Sequence, residues 1–124
     1  MSFCKCAAIT TNLEVEAYIA GNTIDQNDNG IEIIDNTTQV LQNNIQRSHE
    51  NGIKISGDRK SRPIIWKNLI ESCSYNGIVC HGEHCNPDIR GNKIRLNRRS
   101  GIKVTEFANA EIRGITKKIE SMFT

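Results

Sequence analysis

The apolar positions of this chain recur at a spacing that no single strand or helix can contain. Isoleucine or valine, followed three residues on by asparagine and two further on by isoleucine, occurs at Ile19, Val40, Ile65 and Ile89. This sets Asn22, Asn43, Asn68 and Asn92 at intervals of 21, 25 and 24 residues. Each copy then carries a second unit: Gly30-Ile31-Glu32-Ile33, Gly52-Ile53-Lys54-Ile55, Gly77-Ile78-Val79-Cys80 and Gly101-Ile102-Lys103-Val104. Apolar residues two apart share one face of a strand, whereas a helix needs three or four. The pattern predicts short strands, and a period in the twenties predicts coils stacked one on another. Asn29, Asn51, Asn76 and Ser100 stand directly before the glycines. An Asn-Gly pair favours a corner at positive φ, so each pair is expected to turn the chain into its next strand.

Stacking predicts an interior of Ile24, Ile31, Ile33, Ile45, Ile53, Ile55, Ile70, Ile78, Ile94, Ile102 and Val104. It also turns equivalent slots into rows along the body. Asn22, Asn43, Asn68 and Asn92 form one such row at a bend, where stacked amides satisfy one another and the turn backbone; this is read as a structural ladder. Outward, next to the first apolar residue of each coil, the row runs Ala20, Leu41, Trp66, Arg90, Arg113. Exposed Leu and Trp beside Arg have the composition of an interface hot spot, with a guanidinium able to stack on the indole. Leu41, Trp66, Arg90 and Arg113 are therefore the candidate partner-binding residues, against the alternative that Trp66 is covered by the 56–63 loop or by a terminal cap.

The segments Ser61-Arg62-Pro63-Ile64-Ile65-Trp66-Lys67-Asn68-Leu69-Ile70 and Cys85-Asn86-Pro87-Asp88-Ile89-Arg90-Gly91-Asn92-Lys93-Ile94 resemble junctions of right-handed parallel β-helix repeat proteins. These repeats are of the carbohydrate-binding and sugar-hydrolase type, as in F-box-only receptors, SHC-SH2-binding spindle proteins and NosD-like proteins. The resemblance spans roughly residues 19 to 115. It implies an all-β, single-stranded right-handed parallel β-helix, a solenoid of about four to five coils. Function does not follow, because such repeats serve lyases, hydrolases, maturation factors and binding modules alike. The expected layout is an N-terminal partial coil or cap over 1–18, repeats over 19–115 and a C-terminal cap over 116–124. Leu13 to Val15 would supply the strand of the partial coil, and Ile119, Met122 and Phe123 the apolar side of a short amphipathic cap.

Length and composition fit one domain: 124 residues, 37% hydrophobic but only 5% aromatic, as an aliphatic layered core requires. No apolar run reaches the roughly 18 to 20 residues that cross a bilayer, and Met1 to Cys6 lacks the features of a signal peptide. Five cysteines at irregular spacing do not form a secreted disulfide framework. An intracellular protein, cytoplasmic or cytoskeletal and without membrane contact, is expected. Residues 1–89 hold 7 Lys and Arg against 11 Asp and Glu, while residues 90–124 hold 9 against 3. In a stacked-coil fold this becomes an acidic end and a basic end.

Candidate chemistry is thin. Cys73, Cys80, His81, His84 and Cys85 lie within thirteen residues and raise a zinc site. The repeat, however, places Cys80 in the inward slot of Ile33, Ile55 and Val104, and Cys73 in that of Asn27, Ser48 and Asn97. His81, His84 and Cys85 remain as disfavoured ligand candidates, too few for a closed four-ligand centre, and no cofactor is expected. Asp25, Asp28, Glu32 and Asp35 complete no calcium loop. The outward slots Asp25, Gln46, Glu71 and Arg95 offer no facing carboxylate pair for glycoside chemistry. The basic last coil lacks aromatic platforms for bases, and an acidic half repels phosphate, which disfavours nucleic acid. The expectation is a non-enzymatic protein-interaction or structural module, a subunit of a larger assembly that meets acidic or cytoskeletal surfaces and associates end to end. The alternative is a carbohydrate-binding or carbohydrate-active β-helix, kept open by Trp66.

Overall fold

The structure, a computed structural model, describes residues 7–11, 17–35, 37–56, 62–82, 86–105 and 111–113. Among these residues there is no helix, and fourteen short strands assemble into three parallel sheets. The first sheet contains β2 (Tyr18–Ala20), β5 (Gln39–Leu41), β8 (Ile64–Trp66), β11 (Asp88–Arg90) and β14 (Glu111–Arg113). The second contains β3 (Thr23–Asp25), β6 (Asn44–Gln46), β9 (Leu69–Glu71) and β12 (Lys93–Arg95). The third contains β1 (Ala7–Thr11), β4 (Asn29–Ile34), β7 (Ile53–Ser56), β10 (Ile78–His81) and β13 (Ile102–Thr105). Each coil donates one strand to each sheet. Four such coils stack across three coil-to-coil steps, with β1 preceding them in the third sheet and β14 following them in the first.

Register explains why the sequence repeats as it does. Ile24, Ile45, Ile70 and Ile94 are aligned in the second sheet. Ile33, Ile55, Cys80 and Val104 are aligned in the third, and Ile19, Val40, Ile65 and Ile89 in the first. All the residues predicted to point inward are buried, most of them completely. Each fully buried isoleucine contributes roughly 1.5 to 3 kcal/mol by leaving water. The Asn row is a ladder: Asn22, Asn43 and Asn68 each donate through both backbone N and Nδ2 to the Oδ1 of the asparagine one coil further on, at 2.9 to 3.1 Å. The second amide hydrogens of Asn43, Asn68 and Asn92 reach back to the carbonyls of Ile19, Val40 and Ile65. Buried polar corners are thereby satisfied without water.

A second ladder occupies the positions before the glycines. Asn51 donates to Asn29 Oδ1, Asn76 to Asn51 Oδ1, and the Ser100 backbone to Asn76 Oδ1. Its donors reach toward the N-terminal end, opposite to the first ladder.

The glycines after this ladder are not where the chain turns left-handed, contrary to the expectation for Asn-Gly. Positive φ falls instead on Gly21, Gln42, Lys67 and Gly91 after the first strand of each coil, and on Gln26, Arg47, Ser72 and Leu96 after the second. The N–H of Gln42, Lys67, Gln26, Arg47 and Ser72 donates to a carbonyl of the next coil, which offsets the roughly 1 to 2 kcal/mol that each non-glycine residue pays there. Gly30, Gly52 and Gly77 are required for another reason. A Cβ on any of them would stand 2.5 to 2.7 Å from the carbonyl of the next glycine in the stack and from an isoleucine Cγ2.

Ahead of the first full coil, β1 adds a strand at Ala7–Thr11, with Ile9 and Thr11 in register with Ile31 and Ile33. Leu13 to Val15, the residues before β1 and the expected cap over 116–124 lie outside the described residues.

Candidate interaction face

Two-residue alternation in the first sheet puts one residue of each strand inward and its two flanks outward. The outward rows are Tyr18, Gln39, Ile64, Asp88 and Ala20, Leu41, Trp66, Arg90, both in strand register, and the backbone positions of Glu111 and Arg113 continue that register. The predicted row therefore exists, although its members differ in access. Trp66 is 40% exposed. Arg90 is half-buried beside it. Leu41 is only 8% exposed, which corrects its assignment as an exposed contact residue: it lies between the neighbouring strands that carry Ala20 and Trp66. Arg113 is placed by its backbone alone, one strand beyond Arg90.

Around the indole the structure gathers cations. Lys67 Nζ lies 4.6 Å from the Trp66 ring centroid and Arg90 Cζ 5.8 Å from it, both within cation–π range. Gly91, at φ +64°, passes the ring so closely that a Cβ there would stand 3.2 Å from Trp66 Cδ1, so the glycine sets how the indole lies. Asp88 is 5% exposed, and its Oδ2 stands 3.4 Å from an Arg90 terminal nitrogen and 3.6 Å from one of Arg62. Its Oδ1 and the Nε of Arg90 are buried without a hydrogen-bond partner. Among the described residues, one carboxylate thus faces two guanidiniums and a nearby ammonium, and their charge around the ring is net positive.

Asp88, Arg62 and Lys67 were not selected from the sequence. Asp88 was accessible to it, because it stands two residues before Arg90 and must share its face.

Elsewhere Asp25, Asp28 and Glu71 are engaged by basic side chains. Arg47 grips Asp25 through both Nε and a terminal nitrogen, the former at 2.8 Å, and this contact raises the guanidinium's already high pKa. Arg95 Nε donates to Glu71 at 2.7 Å, and His49 lies 3.3 Å from Asp28. Asp25, Gln46, Glu71 and Arg95 do form one row, as expected. Arg99 stacks on Tyr75 at 4.2 Å, at the edge of a shallow depression of about 260 Å³ between Ser74, Tyr75, Arg98 and Arg99.

Cys73 and Cys80 are buried in the interior outside any disulfide, in the slots the repeat assigns them; Cys73 N donates to Asn97 Oδ1, and burial pushes the pKa of the Cys73 thiol upward. His81 is half-buried, in register with Ser56 and Thr105. His84 and Cys85 lie outside the described residues. Among the described residues, no three His, Cys, Asp or Glu side chains converge as metal ligands, and no helix is long and apolar enough to cross a membrane.

Three parallel sheets wound from one chain, with a layered aliphatic interior and amide ladders at the corners, define a parallel β-solenoid. The chain belongs to the right-handed β-helix family: the model described as "Right handed beta helix region" matches residues 3–116. No curated protein and no solved structure matches it.

Proposed function

We propose that this chain is a non-enzymatic protein-interaction module that docks an acidic partner against the outer face of its first sheet, as one subunit of a larger assembly. The observation that carries the reading is Trp66, exposed in the middle of a β-sheet face and flanked by Lys67 and Arg90. Tryptophan and arginine dominate the energetics of protein interfaces, because the ring buries a large area and the guanidinium pairs with carboxylates in a fixed geometry. Among the described residues, three cations against one carboxylate favour a partner rich in Asp and Glu, including an acidic cytoskeletal surface. Among the described residues, Asp25, Glu71 and Asp88 on the first and second sheets are each held by arginine, an arrangement suited to structure more than to proton transfer. The intracellular setting expected from the cysteine content belongs to the same proposal.

A ring beside a carboxylate also has the makings of a sugar platform, and the fold class is shared with carbohydrate-active proteins. Affinity purification from native extract, run beside a glycan array, separates the two. The expected result is a protein complex that weakens with salt and falls at least tenfold in affinity with Trp66→Ala or Arg90→Glu. Selective glycan binding, lost with Trp66→Ala and without any protein partner, overturns the proposal.

A further inference from the structure

We infer that the corner between the second and third sheets carries an anion site, lined by Ser74, Tyr75, Arg98 and Arg99, that takes a phosphomonoester. The first support is the pairing of the arginines. Among those whose side chains are described, Arg47 stands against Asp25, Arg95 against Glu71, and Arg62 and Arg90 against Asp88. Arg98 and Arg99 are exposed, and among the described residues no carboxylate pairs with either. Two guanidiniums that line one depression without a counter-ion repel each other, and a bound anion relieves that repulsion. The repeat does not ask for cations here: the same corner holds Asp28 in the first coil and His49 with Glu50 in the second, joined coil to coil by backbone hydrogen bonds.

The second support is the construction of the depression, which holds about 260 Å³ between two successive coils. Ser74 and Tyr75 stand on the turn from β9 to β10, and Arg98 and Arg99 on the turn from β12 to β13. Both turns are tied to their neighbours: Ser74 N donates to the Ser48 carbonyl at 2.9 Å, Arg98 N to that of Cys73 at 3.0 Å and Arg99 N to that of Tyr75 at 2.8 Å. The last bond seats Arg99 on Tyr75, with Cζ 4.2 Å from the ring centroid. A guanidinium already restrained by a ring loses less freedom when a ligand arrives. The donor set then selects the ligand. A phosphomonoester carries nearly two negative charges at neutral pH and three strong acceptor oxygens, which match two guanidiniums beside the hydroxyl-bearing Ser74 and Tyr75. A carboxylate or a phosphodiester brings a single charge and leaves one arginine uncompensated.

The test is isothermal titration calorimetry of the full chain in low salt with a phosphoserine peptide, the same peptide carrying glutamate instead, glucose phosphate and a single-stranded DNA oligonucleotide. Saturable binding of the phosphopeptide, the sugar phosphate or both is expected, at least tenfold tighter than that of the glutamate peptide. The phosphopeptide binding alone assigns the site to a phosphorylated protein, and the sugar phosphate binding alone to a free metabolite. Arg98→Gln and Arg99→Gln should each weaken binding roughly tenfold while circular dichroism stays unchanged. Tyr75→Ala keeps every charge but releases Arg99, and should weaken it severalfold. Lys93→Gln, which removes an exposed charge from the adjoining strand, should change it less than twofold. The inference is overturned if neither phosphate probe binds, if the glutamate peptide or the oligonucleotide binds as tightly, or if Lys93→Gln costs as much as the arginine substitutions. Trp66→Ala should leave phosphate binding unchanged, so the outcome is independent of the partner-docking proposal.

Discussion

Gly52 lies so close beneath Gly77 that a Cβ built on it would stand 2.6 Å from the Gly77 carbonyl oxygen, and 2.5 Å from Ile70 Cγ2. Neither neighbour can retreat, since one is backbone and the other is packed in a core layer. Gly52→Ala is expected to cost roughly 3 kcal/mol, the upper part of the range for overpacking a core, measured by urea unfolding. Gly21→Asn is the control: Gly21 has positive φ and open space around its Cβ position, and asparagine tolerates that conformation, so a change under about 1 kcal/mol is expected.

Asn68 makes bonds in both axial directions, donating to Asn92 and Val40 and accepting from Asn43. Asn68→Ala strands several buried partners at once, and about 2 to 4 kcal/mol should be lost. Asn22→Ala, at the partly exposed start of the ladder, should cost less than half as much. Equal losses at both positions would contradict the ladder as a shared network.

Ile53 is fully buried between Ile31 and Ile78 in the third sheet. Ile53→Asp buries an unpaired charge and should leave no cooperative unfolding transition. Ile53→Val should fold and lose about 1 kcal/mol, both read by thermal circular dichroism.

Cys73 and Cys80 should resist alkylation in the native protein and react fully in denaturant, as followed by mass spectrometry of their peptides. Both are buried, and the Cys73 thiol is raised first by burial, with the Glu71 charge adding to it and Ser48 opposing. A thiol whose pKa is higher in the folded state binds its proton more tightly there. Its contribution is therefore complete at neutral pH and is lost as pH climbs past the ordinary thiol range toward the raised folded value. Cys73→Ser should flatten that alkaline decline.

The period, the inward row and the asparagine ladder could all be read from spacing, because each arises from one residue type kept at one slot. The role of the glycines could not. Asn-Gly is equally the signature of a left-handed corner and of two chains in close approach, and only the stacking of Gly52 under Gly77, without positive φ, shows the second. The outward row was also legible, but the burial of Leu41 was not, since alternation gives the face a side chain takes and not how far its neighbours shade it. Asp88 went unnoticed because a carboxylate in a basic coil reads as solubilising until Arg62, more than twenty residues away, is brought to it.

The two amide ladders run in opposite directions. In one, nitrogen points toward the C-terminal end and oxygen back; in the other the sense is reversed. Amide dipoles aligned along an axis add as they do in a helix, so these columns largely cancel and the core has little electrical polarity of its own. Whatever polarity the body shows along its length is then written in surface charges, where a handful of substitutions or a phosphate could invert it while every interior layer stays as it is.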